Sequence, residues 1–204
     1  KRIEKTWNMV LRGPGRRRQT VAESSYDAWT KYYQMDENTP NTVVSYYAKG
    51  ALIALQLDLE IRAFTKNRHS LDDFMRHLYQ MYQLTQRGVD ESDLDSAMTF
   101  LFGPDFLSRW LAFKEKYIHG TLDLPLAVSL SQLGYKVFEK STISLESTEL
   151  MKQTLGIKTT VVNGWVKVTH VLEDGWAKRF GLAAGDVLGS MGKERDRKST
   201  RLNS

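Results

Sequence analysis

Thr42-Val43-Val44-Ser45-Tyr46-Tyr47-Ala48-Lys49-Gly50-Ala51-Leu52-Ile53-Ala54-Leu55-Gln56-Leu57-Asp58-Leu59-Glu60-Ile61-Arg62-Ala63-Phe64 is the stretch on which the fold turns. It is apolar on nearly every side through Leu52, Ile53, Leu55, Leu57, Leu59 and Ile61, and a helix apolar all round is a buried one. Gln56 and Asp58 break its densest run, Ala51 to Leu59, which is far short of a bilayer span. A buried central helix needs partners, and the sequence on both sides supplies them.

Upstream, Ile3, Trp7, Val10 and Leu11 follow helical spacing until Gly13-Pro14-Gly15 stops them. Ser25 to Tyr33 is rich in aromatics, and Asp36-Glu37-Asn38-Thr39-Pro40-Asn41 reads as a turn with Asn41 as the cap of the central helix. Downstream, Ser70 followed by Asp73 predicts a capped helix whose stripe is Leu71, Phe74, Met75, Leu78, Met81 and Tyr82. Leu94, Ala97, Met98, Leu101 and Phe102 make the next stripe, closed by Gly103-Pro104, and Phe106, Leu107, Trp110 and Leu111 another. Leu124 to Leu133 predicts a last short helix stopped by Gly134.

Past Gly134 the pattern changes. Tyr135 to Lys140 and Ile157 to Val162 are β-branched and aromatic, and Asn163-Gly164 between Val162 and Trp165 marks a hairpin, because both residues accept positive φ. The expected architecture is therefore mostly α in the first two thirds, followed by a partial β-rich domain. Its divisions are a helical part over residues 1–140, a linker or ragged strand over 141–153, a β-rich part over 154–190 and a tail over 191–204.

At 204 residues and 41% apolar content the chain can bury a real core, as one large domain or two small ones. The net charge of +5 does not point to nucleic acid. Lys1 to Arg18 carry seven Lys or Arg against Glu4 alone, and Lys193 to Arg201 carry five against Glu194 and Asp196, which leaves the middle mildly acidic. The run Arg16-Arg17-Arg18 reads as a solvated loop. The absence of cysteine excludes disulfides, thiolate metal sites and a cysteine nucleophile, and leaves the compartment of a soluble bacterial-type protein open between periplasm and cytoplasm.

Spacing alone completes no active site. His69, His77, His119 and His170 contain no pair at i, i+4, so the two-histidine face of a zinc hydrolase helix is missing. No Gly-x-Ser-x-Gly elbow and no phosphate-cradling glycine loop occurs.

A resemblance adds what spacing does not. Ala22-Glu23-Ser24-Ser25-Tyr26-Asp27-Ala28-Trp29, Lys31-Tyr32-Tyr33, Asp36 to Asn41 and Ser45-Tyr46-Tyr47-Ala48-Lys49-Gly50-Ala51, followed by Leu71-Asp72-Asp73 and Leu124-Pro125-Leu126, closely resemble the glycyl aminopeptidase family of zinc metallopeptidases. The resemblance runs in family order from Lys1 to about Leu188. It implies the helical C-terminal subdomain of a thermolysin-like catalytic domain, with the zinc ligands upstream of this chain: zinc in the full-length parent, none in this chain, which alone is expected to be inactive.

Tyr47-Ala48-Lys49-Gly50 is also similar to the Tyr-x-Lys-Gly stretch of the broader zinc aminopeptidases. That likeness implies Tyr47 as the donor that stabilises the oxyanion of the tetrahedral intermediate, with Lys49 and Gly50 as helpers and Gly50 admitting a neighbouring helix. Asp36, Glu37 and Asn38 are candidates for the substrate's α-ammonium, although turn chemistry explains them equally well.

Leu155-Gly156-Ile157 resembles the carboxylate-binding loop of a PDZ domain, and Val168 to Leu172, Trp176-Ala177, Gly181-Leu182 and Ala184 to Leu188 follow the bacterial PDZ pattern without its closing helix. Residues 191–204 carry no apolar period and read as non-native or disordered. Two functions follow: the C-terminal part of a zinc aminopeptidase acting at small N-terminal residues such as Gly or Ala, or a non-catalytic helical scaffold with a PDZ-type peptide binder. The expected partners are a peptide substrate and a PDZ-bound peptide, with neither nucleic acid nor a membrane span.

Overall fold

The computed structural model describes residues 2–138, 154–191 and 194–195. Helix α1 spans Arg2–Arg12, and Gly13-Pro14 turns it into a 3-10 segment, Pro14–Arg17. Helix α2, Val21–Tyr26, starts on a reciprocal cap: Thr20 Oγ1 accepts the Glu23 N–H at 3.1 Å and the Glu23 carboxylate accepts the Thr20 N–H at 2.9 Å. The aromatic stretch follows as a π-turn over Ala28–Tyr32, and α3 is a single turn, Thr39–Thr42.

The central helix α4 runs Tyr46–Thr65. It begins four residues later than its sequence suggests, because α3 ends at Thr42 and Val43 is extended. Ser45, not Asn41, is the cap, with its Oγ accepting the Ala48 N–H at 3.2 Å. The all-round apolar surface has a structural reason, since α4 faces two cores. Ile53, Leu57 and Ile61 pack with Phe74, Met98, Phe106, Trp110 and Phe113, whereas Ala48, Leu52 and Leu59 pack with Val10 and Leu126.

The partners of the first core are α5 (Leu71–Thr85), α6 (Glu91–Phe102) and α7 (Pro104–Phe113), and α7 continues as a π-turn over Lys114–Ile118. The Asp73 carboxylate accepts the Ser70 N–H at 2.8 Å at the head of α5, and Asp90 Oδ1 accepts the Asp93 N–H at 3.0 Å at the head of α6. Asp95 ties α6 to α7 by accepting the Trp110 indole N–H and the Lys114 ammonium, each at 2.6 Å. Burial would raise the Asp95 pKa, but these two donors outweigh it and leave the carboxyl below its ordinary value. Helix α8, Leu126–Gln132, covers the second core, and Gly134 ends it at φ 83°.

No strand forms over residues 135–138, against the expectation for Tyr135 to Lys140. The Tyr135 N–H bonds back to the Leu130 carbonyl at 3.1 Å, and among the described residues no strand meets this stretch. Residues 139 and 140, the expected linker 141–153 and most of the tail lie outside the described residues.

The C-terminal unit is a three-stranded antiparallel sheet in the order β1-β2-β3, with β1 Ile157–Val162, β2 Trp165–Val171 and β3 Val187–Leu188. Asn163 at φ 51° and Gly164 at φ 81° make the two-residue turn that their sequence predicts. Helix α9, Trp176–Arg179, lies across the sheet, and Ile157, Val168, Val171 and Ala177 form the core beneath it. Within the stretch expected to be a tail, Glu194–Arg195 (β5) pairs with Ser190–Met191 (β4). The helical part followed by a small β region is thus the observed class, and no helix among the described residues is long and apolar enough to cross a membrane.

Candidate functional site

The segment from Asp36 to Tyr47 is held residue by residue. Asp36 Oδ1 accepts the Asn38 N–H at 3.0 Å and the Thr39 hydroxyl at 2.8 Å, so Asp36 closes its own turn. These bonds, the Thr39 hydroxyl foremost, hold its carboxyl below the ordinary aspartate value and keep it ionised. Asn38 Oδ1 accepts from the Asn41 amide at 3.0 Å, and Glu37 is exposed. Further along, the Val44 N–H donates to Gln19 Oε1 at 3.2 Å and the Val44 carbonyl accepts the Ser24 hydroxyl at 2.5 Å, both from buried side chains. Gly15 lies against the Val43 backbone so closely that a Cβ there would sit 2.3 Å from the Val43 carbonyl oxygen.

This pinned connector delivers Tyr46 and Tyr47 to the first turn of α4. Tyr47 is 63% exposed, and its ring leans on Tyr46 with centroids 4.2 Å apart. The Tyr33 hydroxyl stands 3.4 Å from that of Tyr46 and 3.5 Å from that of Tyr47, and Tyr32 meets Ser45 Oγ at 3.2 Å. The hydroxyls of Tyr33 and then Tyr46 hold the Tyr47 pKa below the ordinary tyrosine value, whereas the same contacts raise that of Tyr46. A more acidic phenol is the stronger hydrogen-bond donor, and Tyr47 is the one turned to solvent.

Its two neighbours in the motif behave differently. Lys49 is 1% exposed, and its ammonium donates to the Arg16 carbonyl at 3.3 Å. Burial depresses its pKa, so Lys49 is an internal strut between α4 and the Pro14–Arg17 turn. Among the described residues nothing lies within 4 Å of where the Gly50 Cβ would be, so none of the described helices makes the close approach expected there.

In the C-terminal unit, Gly156 at φ 70° approaches Gly175 so closely that an added Cβ would meet the Gly175 Cα at 2.6 Å. The Gly156 carbonyl accepts the Leu172 N–H at 2.7 Å, Ile157 is buried and paired with Val171, and Leu155 packs at the edge of that core. Among the described residues β1 has a partner strand on one side only.

The two units meet at groups that sequence spacing does not single out. Asn41 is 3% exposed, donates to the Val171 carbonyl at 2.8 Å and accepts the Glu173 N–H at 2.9 Å. Arg17 pairs with Asp174 and Arg18 with Glu173, while Arg16 reaches Asp123 at 2.8 Å. The arginine run is therefore a set of three tertiary ion pairs, of which those of Arg17 and Arg18 remain exposed to solvent, and not merely a solvated loop. Burial lowers the His170 pKa, as does Lys158, while the Glu37 and Asp36 carboxylates across the seam oppose the shift.

No group of three or more His, Cys, Asp or Glu side chains among the described residues could hold a metal ion. The pinned connector thus carries the Asp36–Asn38 turn at one end and Tyr47 at the other, where Tyr33 from the preceding segment meets it. The roles of Tyr33 and Asn41 are the ones that sequence reasoning misses; the repeated Tyr-Tyr pairs at 32–33 and 46–47 are the available hint of the first.

Residues 1–53, which contain the connector, match the M61 glycyl aminopeptidase family. A crystal structure of an aminopeptidase N family protein from Idiomarina loihiensis is 32% identical, with a TM-score of 0.73, and the match covers 91% of this chain and 32% of that one. The chain therefore spans about a third of the length of that protein. No curated protein matches the chain.

Proposed function

We propose that the chain is the C-terminal part of a zinc-dependent aminopeptidase that releases small N-terminal residues such as Gly or Ala, a reading supported by the match of residues 1–53 to the M61 glycyl aminopeptidase family. The observation that carries this reading is the Tyr47 hydroxyl, exposed on a pinned helix start and acidified by Tyr33 and Tyr46. When a peptide carbonyl is attacked, charge gathers on its oxygen, and a donor held in place beforehand stabilises that charge without reorganisation. Tyr47 supplies such a donor. The ionised Asp36 and the exposed Glu37, with Asn38 beside them, offer acceptors for the α-ammonium of the substrate.

The described side chains do not fit a zinc ion. In this proposal the metal belongs to another part of the parent protein, and no step is routed through it. The β-rich unit is proposed as a PDZ-like module that takes a peptide as an added strand along β1, near Leu155, Gly156 and Ile157. The open edge of β1 favours that part of the reading. It also keeps alive the second one, a helical scaffold with a peptide binder and no chemistry.

Tyr47→Phe in the full-length protein separates the two. Turnover is expected to fall by about 10²- to 10³-fold with KM nearly unchanged, as for loss of one oxyanion donor. Unchanged turnover removes Tyr47 from catalysis. A parent sequence without a His-Glu-x-x-His helix upstream of this chain would leave only the scaffold reading.

A further inference from the structure

We infer that Asn41 is a joint through which the C-terminal β unit holds the Asp36–Tyr47 connector in place, so that the β unit is part of the scaffold of the candidate site. The side chain is buried and its polar capacity is used on both sides of the seam. One amide proton goes to Asn38 Oδ1 at 3.0 Å within the turn and the other to the Val171 carbonyl at 2.8 Å, while Oδ1 accepts the Glu173 N–H at 2.9 Å. A buried amide with three partners in two units fixes their relative position, because moving either unit strands polar groups away from water.

The surrounding contacts point the same way. Arg17 and Arg18 leave the Pro14–Arg17 turn to meet Asp174 and Glu173, the residues that follow the end of β2. That same turn touches the connector at Gly15–Val43 and is braced from α4 by Lys49. The end of β2, the arginine turn and the Asp36–Thr42 turn thus close a ring with Asn41 at its centre. The ion pairs are solvent-exposed and screened by salt, so the neutral amide carries the joint and the arginines guide the docking. A ligand that shifts the β unit would then be felt at Asp36–Asn38, a coupling that does not depend on Tyr47 acting in catalysis.

Hydrogen exchange on the full 204-residue chain tests this without any activity assay. In Asn41→Ala the Glu173 amide is expected to exchange about tenfold faster or more, and the amides of residues 36–42 are expected to quicken with it, while the α4 and α6 amides keep their rates. A Glu173 amide at the parental rate overturns the inference. The reciprocal variant, Glu173→Pro, removes the donor from the other side and is expected to quicken residues 36–42; unchanged rates there, with the β1–β2 amides still protected, also overturn it. Should that variant lose the hairpin, the Asn41→Ala measurement decides by itself. Raising salt to about 1 M, where screening acts within about 3 Å, is expected to leave the Glu173 amide protected, and loss of protection would transfer the joint from Asn41 to the arginines.

Discussion

The apolar core between α4 and α7 and the seam between the connector and the β unit hold this protein together by opposite means. In the core, Ile61, Met98, Phe106 and Phe113 are buried by non-directional apolar contact, where any residue of similar volume makes much the same contribution. At the seam Asn41 acts through atoms at fixed positions, as do Gly15 against Val43 on the connector's side and Gly156 against Gly175 on the β unit's side, and the difference of one methyl or one N–H decides whether the contact exists. The core is tolerant in chemistry and costly to empty. The seam is cheap in area and intolerant in chemistry, which suits a joint and not a foundation.

Emptying the core gives the largest expected effect. Phe106→Ala should cost about 3–5 kcal/mol and lower the denaturation midpoint of the whole helical part, and a loss under about 1 kcal/mol would show that the core yields as readily as the seam. The corresponding deletion in the β unit, Val168→Ala, is expected to cost about 2 kcal/mol, confined to exchange of the β1–β2 amides. At the seam, Gly15→Ala must push the Val43 carbonyl away, at about 1–3 kcal/mol, and should quicken the connector amides while sparing α6. If α6 quickens equally, core and seam are one cooperative unit. Ser45→Ala, which removes the α4 cap, is expected to cost about 1 kcal/mol, seen as a lower urea midpoint and faster exchange of the first turn that carries Tyr47.

The smallest effect is that of pH on His170. Its folded pKa lies below the ordinary 6.5, chiefly through burial, so the unfolded chain binds its proton more readily. The contribution is therefore complete above 6.5 and lost as pH falls through the folded value. Seam amides are expected to lose protection on acidification below 6.5, and His170→Asn should flatten that response, whereas an identical pH profile in the variant would place the titration elsewhere.

The same contrast explains what could be read from the sequence. Helices α5 to α7 announce themselves because burying one face imposes a 3.6-residue period, α4 because facing two cores makes it apolar on nearly every side, and Asn163-Gly164 announces its hairpin because few residues tolerate positive φ. Asn41 carries no such mark. An Asn after Pro at the end of a turn is expected to cap a helix, and only the arrival of Val171 and Glu173, 130 and 132 residues further on, turns it into a joint. Arg17 and Arg18 are equally silent, since a charge run has no period that would reveal a partner across the chain. Tyr135 to Phe138 shows the converse: a strand-like composition stays irregular where no strand among the described residues offers hydrogen bonds.

The sequence by itself determined the helical stripes, the Ser70 cap, the hairpin turn and, through the Tyr26 to Gly50 motif, the likeness to the glycyl aminopeptidases, because each is written in residues close together along the chain. Tertiary structure alone decided that Tyr47 is exposed beside Tyr33, that Lys49 is a buried strut, that no described residue packs on Gly50 and that Asn41 bonds to both units. Those outcomes depend on which distant backbone groups arrive at a side chain, and hydrogen bonds of fixed length and direction leave no periodic trace in the sequence.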